Sequence, residues 1–597
     1  MQASANPMHS NVSIPAEFYN SLKSNRKILY VAIAALGIVV LAVLAYFIFR
    51  GDHCDLFVQN GLVYDGSLST PPQLLDLCIK DGKIRQIVNP LLHHQNLRIG
   101  EVIDATGQIV TPGFIDAHAH WSANLEDKDE RNQLHALHDG ITTKCYGRDG
   151  FAPDLLVDDE SLTYQKSLIK YLDELDKAKI GVNIAMWTGH GSLRQRALQD
   201  DESKEDLTDA EIAKMKDLLE EDLKDDRIFG LSLGLEYYPA TSSSIEELKE
   251  LSPIVGQYNK LLTAHVRGEY AWEIEESSNE LIDVAAHGKC KFSHTHIKIA
   301  AAVGGAELAH DLLDRIFDAP RSFDIPSAHA DVYPWIASAT TIRYFFDSQY
   351  ESDNISYTGA EGEEEFYTFE ECKLDTTGCY VQMRDDLEAN VVLKDQGQTV
   401  FDASMIFFVS DPLGRGTMQQ YLSDMPDVYE ANDRWADIPW AQHKDWLDVM
   451  IDIGPITAQL NALFEMKDEI QDVFIKDTRV GICSDGGLVL GHPRSSGSFA
   501  RVIEHHVYER NVIDLQTAIY KMTGLNAEIH SIPNRGYIRE NYYADLLIFR
   551  PELVRQKAGF NTPFKYSVGF DTVIVNGKFA LKNGEHQGNH GQLCRVA

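Results

Sequence analysis

The sequence predicts an α/β protein: a TIM-like (β/α)8 barrel with a small β-sandwich formed by both termini, preceded by one N-terminal transmembrane helix. Three observations lead there. The long middle alternates strand-like and helical runs, both ends carry short strands broken by turns, and a charge-free apolar run lies near the N-terminus.

That run, Ile28–Phe49, reads ILYVAIAALGIVVLAVLAYFIF. As a helix it is roughly 33 Å long, enough to cross about 30 Å of hydrocarbon. Lys23, Arg26 and Lys27 precede it, and Arg50 and Asp52 follow. The positive-inside bias makes 1–27 a cytoplasmic tail, 28–50 the span, and the remainder an exported domain, periplasmic or extracellular. A cleaved signal peptide fits less well, because the run exceeds a usual h-region and no small-x-small site follows.

The β-rich ends are 54–112 and 543–597. In the first, DLFVQNGLVYDG, LLDLCIKDGKIRQIV and EVIDATGQIVTPG alternate apolar and polar residues, with Asn60-Gly61 and Asp81-Gly82 as hairpin signals. In the second, ADLLIFRPELV and FDTVIVNGKFALKNGEH repeat the pattern around Asn576-Gly577. Two such ends around a long middle imply one sandwich built from both.

The barrel occupies 113–542. Its strand-like runs are ITTKCYG, GVNIAMW, FGLSLGL, LLTAHV, KCKFSHTHIKI, DIPSAHADVYP and TRVGICSD, after an opening TPGFIDAHAHW. Helical stretches such as DAEIAKMKDLLEEDLKD and SIEELKELSPIVGQYNK lie between them. Repeated βα units point to a closed barrel, and no G-x-G-x-x-G opens a helix as a dinucleotide-binding sheet requires. From about 341 to 446 the rhythm breaks into an acidic, aromatic stretch, which reads as an insertion or lid over a functional face.

The formal charge of −36 over 597 residues opposes nucleic-acid binding, which wants a basic face. Eight cysteines are too few for a disulfide scaffold in a chain of this size. In an exported domain, Cys372 could pair with Cys379, and Cys54 could meet Cys594; sequence leaves both open.

The strongest chemical signal is TPGFIDAHAHW. On a strand His118 and His120 share a face, and two imidazoles at a strand end can bind one divalent metal. This opening resembles the amidohydrolase superfamily, whose fold is a metallo-barrel with a sandwich made from both termini. GITTKCYGRDGFAP, TGHGSLR, GLSLGLEYYPA, TAHVRGE, HTHIKIA, DVYPWIAS, CSDGGLVLGHPRSSGSF and KMTGLNAE narrow the resemblance to the D-aminoacylase branch, the N-acyl-D-amino-acid deacylases. It covers about 54 to 597 except the insertion.

The resemblance implies a zinc-dependent hydrolase with one or two Zn2+ ions and a small-molecule N-acyl amino acid substrate of the D series. By motif, His265 and His296 match the histidines of the tightly bound zinc; His294 competes with His296 because both face the same way. His118 and His120 match the second metal position. Where the family usually carries G-N-C-G, this chain has Gly147-Arg148-Asp149-Gly150, so Asp149 stands at the cysteine ligand's place and Cys145 falls four residues early. Asp485 matches the general acid–base carboxylate. Lys298, Arg494 and Tyr237 match a clamp for the substrate α-carboxylate, while His190 is open between pocket and core. A hydantoinase-like cyclic-amide hydrolase and a non-catalytic membrane-tethered relative remain the alternatives.

Overall fold

A computed structural model describes residues 53–90, 98–120, 127–152, 168–199, 204–300, 305–341, 466–487 and 491–596, with short stretches between 355 and 463. The proposed span at 28–50 lies outside them. Among the described residues no helix is long and apolar enough to cross a membrane.

Eight parallel strands form the barrel in chain order: Phe114–Asp116, Ile141–Tyr146, Asn183–Gly189, Ile228–Gly234, Leu261–His265, Lys291–His294, Ala328–Val332 and Val480–Ile482. Each of the eight runs read from the sequence supplies one. The first and last meet just beyond their ends, where Asp485 N–H donates to His118 O and His120 N–H to Gly486 O, both at 2.9 Å. Every residue of the second to fifth strands is buried, on both faces, which is why these runs show no regular alternation of apolar and polar residues.

Helices cover the barrel as their patterns require. In Asp209–Lys224 the Thr208 hydroxyl and Glu211 carboxylate form a reciprocal capping box, satisfying amides that the helix start leaves open. Met215, Leu219 and Leu223, four residues apart, bury one stripe against the strands. Leu219→Ala would cost about 2–5 kcal/mol by the cavity it leaves.

Both termini build one sheet, as read, but its hydrogen bonding is continuous through nine mixed strands instead of dividing into two separate sheets. The joint is Ile109–Pro112 pairing antiparallel with Leu546–Phe549. Val58, Leu77, Val110, Leu546 and Ile574 pack on one side of it as a core. Asp81-Gly82 and Asn576-Gly577 are turns between adjacent strands. Asn60-Gly61 is not. The strand His53–Val63 runs through it with a register shift, Asn60 taking a φ of 61° and donating its amide to Asp76 Oδ1 at 2.8 Å. A left-handed residue here makes a bulge because the partner strand continues on both sides. Cys54 pairs with Cys78 across this sheet, so the Cys54–Cys594 pairing is wrong; Cys594 is a free buried thiol. Cys372 and Cys379 are bonded to each other.

The insertion hangs between the seventh and eighth barrel strands. Its root is Ser338–Thr341 pairing with Leu460–Leu463, so it extends past residue 446. Described pieces include two hairpins, Ile355–Thr358 with Glu364–Tyr367 and Leu393–Asp395 with Gln398–Phe401, and the helix Cys379–Val391. Because the root leaves the C-terminal end of a barrel strand, it rises on the face where such barrels carry their chemistry.

Candidate metal centre

Six side chains from five strand ends converge at that face. His118 and His120 follow the first strand, Asp149 follows the second, His265 ends the fifth, His296 follows the sixth and Asp485 the eighth. Three of them bend the backbone into the left-handed region: Asp149 at φ 54°, His296 at 34° and Asp485 at 50°. Such conformations cost non-glycine residues roughly 1–3 kcal/mol each and cluster at functional sites. Asp149 is therefore not on the face of an extending strand with Cys145. The strand ends at Tyr146, and the turn swings Asp149 across the barrel mouth until its carbonyl lies 1.9 Å from where a Cβ on Gly234 would stand. Only glycine lets the chain pass there. Cys145 stays in the apolar interior with Ile115, Ala185, Trp187 and Phe229.

Two ligand groups share Asp149. In one, Asp149 Oδ1 lies 3.4 Å from His296 Nε2 and 3.9 Å from His265 Nδ1, and the two nitrogens are 2.9 Å apart. In the other, His118 Nε2 is 3.3 Å from Asp149 Oδ1, His120 Nε2 is 3.2 Å from its Oδ2, and the two imidazoles are 3.6 and 3.0 Å from Asp485 Oδ1. Donors about 2.0–2.1 Å from a tetrahedral zinc lie roughly 3.3–3.4 Å from one another, and these separations bracket that value. Moreover, His118 Nε2 and Asp149 Oδ1 are buried with no hydrogen-bond partner, which a native fold rarely tolerates unless something else satisfies them. The donor set, imidazole and carboxylate, suits zinc. His294 is buried in neither group, both its nitrogens lacking a hydrogen-bond partner.

Charge is concentrated here. Burial alone would raise the Asp485 carboxyl, but Arg494 and the neighbouring imidazoles outweigh it and hold it well below the usual range. Burial likewise opposes ionising Asp149, yet His118 and His296 keep it a carboxylate. Arg494 Nη1 lies 2.7 Å from Asp485 Oδ2, while its Nε is buried without a partner. The guanidinium also lies over Tyr333, 5.1 Å from the ring centre. Lys298 contacts Glu269. Tyr237 stacks obliquely on His265 with ring centres 4.6 Å apart. So the three residues read as a carboxylate clamp do border the metal groups, two of them already paired with carboxylates. His190 does not. It is a core histidine, with Nε2 2.7 Å from Glu247 Oε1.

Four neighbours went unread in the sequence. Glu236 precedes Tyr237, Glu269 follows His265 by four, Tyr333 stands in DVYPW, and Asp116 precedes the H-x-H pair. Asp116 accepts from Ser484 N–H at 2.8 Å and Ser484 Oγ–H at 2.5 Å, tying the first strand to the last. Each sat inside a quoted motif, but nothing in spacing distinguishes a carboxylate that touches a ligand from one in a turn.

Two family models, both described as amidohydrolase family, match residues 101–260 and 427–580. The chain belongs to the amidohydrolase superfamily. This amidohydrolase is 26% identical to a D-aminoacylase of Alcaligenes xylosoxydans xylosoxydans over 91% of its own length and 98% of the relative's. It is 27% identical to an N-acyl-D-aspartate deacylase of the same organism, over 90% and 93%. Its fold is similar to the crystal structure of N-acyl-D-glutamate deacylase from Bordetella bronchiseptica complexed with zinc and a phosphonate inhibitor, with TM-score 0.67, 22% identity and coverage of 91% and 100%.

Proposed function

We propose that this amidohydrolase is a zinc-dependent deacylase that hydrolyses the amide bond of N-acyl-D-amino acids to a carboxylic acid and a free amino acid. The observation that carries the reading is the pair of ligand groups joined through Asp149, with the Asp485 carboxylate beside them. Zinc bound by Asp149, His265 and His296, with His118 and His120 offering a second position, would polarise the acyl carbonyl and acidify a bound water. Asp485 is aimed to accept the proton of the attacking water and to deliver it to the leaving nitrogen, the two transfers that amide hydrolysis needs. Arg494 holds that carboxylate through one nitrogen, and its buried, unpartnered Nε is left for the substrate α-carboxylate, a group guanidinium binds well. Tyr237 walls the pocket beside His265.

The cyclic-amide alternative commonly uses a carboxylated lysine between two metals. The buried lysines among the described residues are engaged elsewhere: Lys144 Nζ is 3.0 Å from His135 Nε2, Lys298 contacts Glu269, Lys260 Nζ donates to Leu223 O at 2.6 Å, and Lys521 Nζ donates to Asp477 O. Turnover of a panel of N-acyl-D- and N-acyl-L-amino acids, set against hydantoins, tests the reading. Cleavage of D substrates supports it, and cleavage of hydantoins alone refutes it. We propose further that Ile28–Phe49 anchors the enzyme with its barrel outside the cytoplasm, and that the insertion limits substrate size at the mouth.

A further inference from the structure

The metal-facing histidines are braced from behind by two glutamates that the reaction above does not use. His296 directs Nε2 at Asp149 and turns Nδ1 to Glu269 Oε1, 3.3 Å away. His265 directs Nδ1 at the same carboxylate and turns Nε2 to Glu236 Oε2 at 2.6 Å, with Glu269 Oε2 at 3.6 Å. Glu269 Oε2 also contacts Lys298 Nζ. Its backbone is stitched to the segment carrying Lys298, since Ala300 N–H donates to Glu269 O at 2.9 Å and Ala271 N–H to Ala300 O at 3.2 Å.

We propose that Glu236 and Glu269 are positioning residues, one behind each histidine, that fix which ring nitrogen faces the metal, and that Glu269 also fixes the ammonium of Lys298. The inference rests on the reading of these histidines as zinc ligands. A neutral imidazole has one lone pair and one N–H. If the inner nitrogen is to bind metal, the outer one must carry the proton, and a carboxylate there selects that tautomer and the ring's orientation. Opposite nitrogens are used in the two rings: Nε2 of His296 and Nδ1 of His265. A distinct acceptor behind each ring suits this mixed arrangement, Glu269 behind Nδ1 of His296 and Glu236 behind Nε2 of His265. Lys298 Nζ lies 3.3 Å from His296 Nδ1, and two donors facing one another repel unless a shared acceptor takes both. Glu269 is that acceptor.

Glu236, His265 and Glu269 could also be taken as a separate metal site. That use requires the Nε2 lone pair of His265 while its Nδ1 lone pair serves the other group, which only a fully deprotonated ring supplies. The positioning role needs no such ring.

The test is zinc affinity of the full chain, measured by competition with a chromogenic chelator, with metal stoichiometry read alongside. Glu269→Gln and Glu236→Gln should each weaken zinc binding about 10–100-fold, the range for lost carboxylate partners of ligating histidines. Lys298→Met should change it less than about threefold, because both histidine–carboxylate contacts survive. Affinity unchanged in folded Glu269→Gln overturns the proposal. So does an equal loss in Lys298→Met, which would assign the effect to the Lys298–Glu269 pair as a unit and not to the carboxylate behind the ring, or a lower zinc count at unchanged affinity in Glu236→Gln, which would restore the separate site. Should Glu269→Gln fail to fold, Glu269→Asp replaces it: the withdrawn carboxylate should still weaken zinc, and wild-type affinity there refutes the idea. A wild-type chain that binds no zinc removes the deacylase reading together with this one; tight wild-type binding with indifferent variants removes this one alone.

Discussion

Replacing Asp149 with alanine separates the two ligand groups, because this carboxylate is the one member common to both. Its Oδ1 is within 3.9 Å of His118, His265 and His296, and its Oδ2 within 3.2 Å of His120. Removing one partner of a buried, charge-paired cluster typically costs 3–5 kcal/mol. At about 1.4 kcal/mol per tenfold, zinc affinity should fall roughly 10²- to 10³-fold or more, and turnover should vanish with it. Cys145→Ser is the contrasting perturbation. It places a hydroxyl among Ile115, Ala185, Trp187 and Phe229, at about 1–3 kcal/mol of stability, without touching a metal ligand. Burial pushes that thiol's pKa up to about 12, the opposite of a thiolate ready for metal. Asp149→Cys should keep zinc, because a thiolate is itself a good zinc ligand. Zinc content by mass spectrometry and melting temperature, measured on all three variants, decide it. Zinc retained by Asp149→Ala and lost by Cys145→Ser would refute the assignment.

Arg494→Met should lower kcat/KM on N-acyl amino acids at least a hundredfold, by about 3 kcal/mol or more for an unpaired buried carboxylate, and hurt N-acyl amines less; equal losses would leave Arg494 only its contact with Asp485. Asp485→Asn should abolish turnover while zinc remains bound, and an active Asn variant would remove its proton-transfer role. Replacing Cys54 and Cys78 together by alanine should destabilise the protein by about 3 kcal/mol, from the 24-residue separation they close, as seen in chemical denaturation under oxidising conditions. A reporter fused after Ala597 should be active only outside the cytoplasm, and cytoplasmic activity would sink the exported topology.

The eight barrel strands were legible because short strand-like runs recur in series with amphipathic helical stretches, the rhythm of repeated βα units. His118 and His120 were legible from H-x-H spacing, whereas His265 and His296 came only from the resemblance of their motifs, and the H-x-H pair His294/His296 contributes one of its two members to a candidate ligand group. Asp149 was found by alignment with a motif, while the argument from strand alternation failed, since the strand stops at Tyr146 and a left-handed turn carries the side chain. Asn60-Gly61 misled for a related reason: the same dipeptide serves a hairpin or a bulge, and only the partner strand decides. Glu236 and Glu269 were hidden because the ring nitrogens they meet come from other elements: Glu236 meets His265, 29 residues on, and Glu269 meets His296 after the next barrel strand, contacts that no local pattern records.

Barrel closure has a consequence for how the enzyme is made. His120 and Asp485, 365 residues apart, meet only when the last strand seats beside the first. A ribosome that has not yet delivered Val480–Ile482 has produced both histidine pairs but neither the closing backbone bonds nor the proton-transfer carboxylate. Until Asp485 emerges, the nascent polypeptide lacks the carboxylate proposed above to move the proton. If it crosses a membrane as an unfolded thread, it crosses without metal, and zinc capture becomes the final step of maturation at the destination, drawn from the supply on that side.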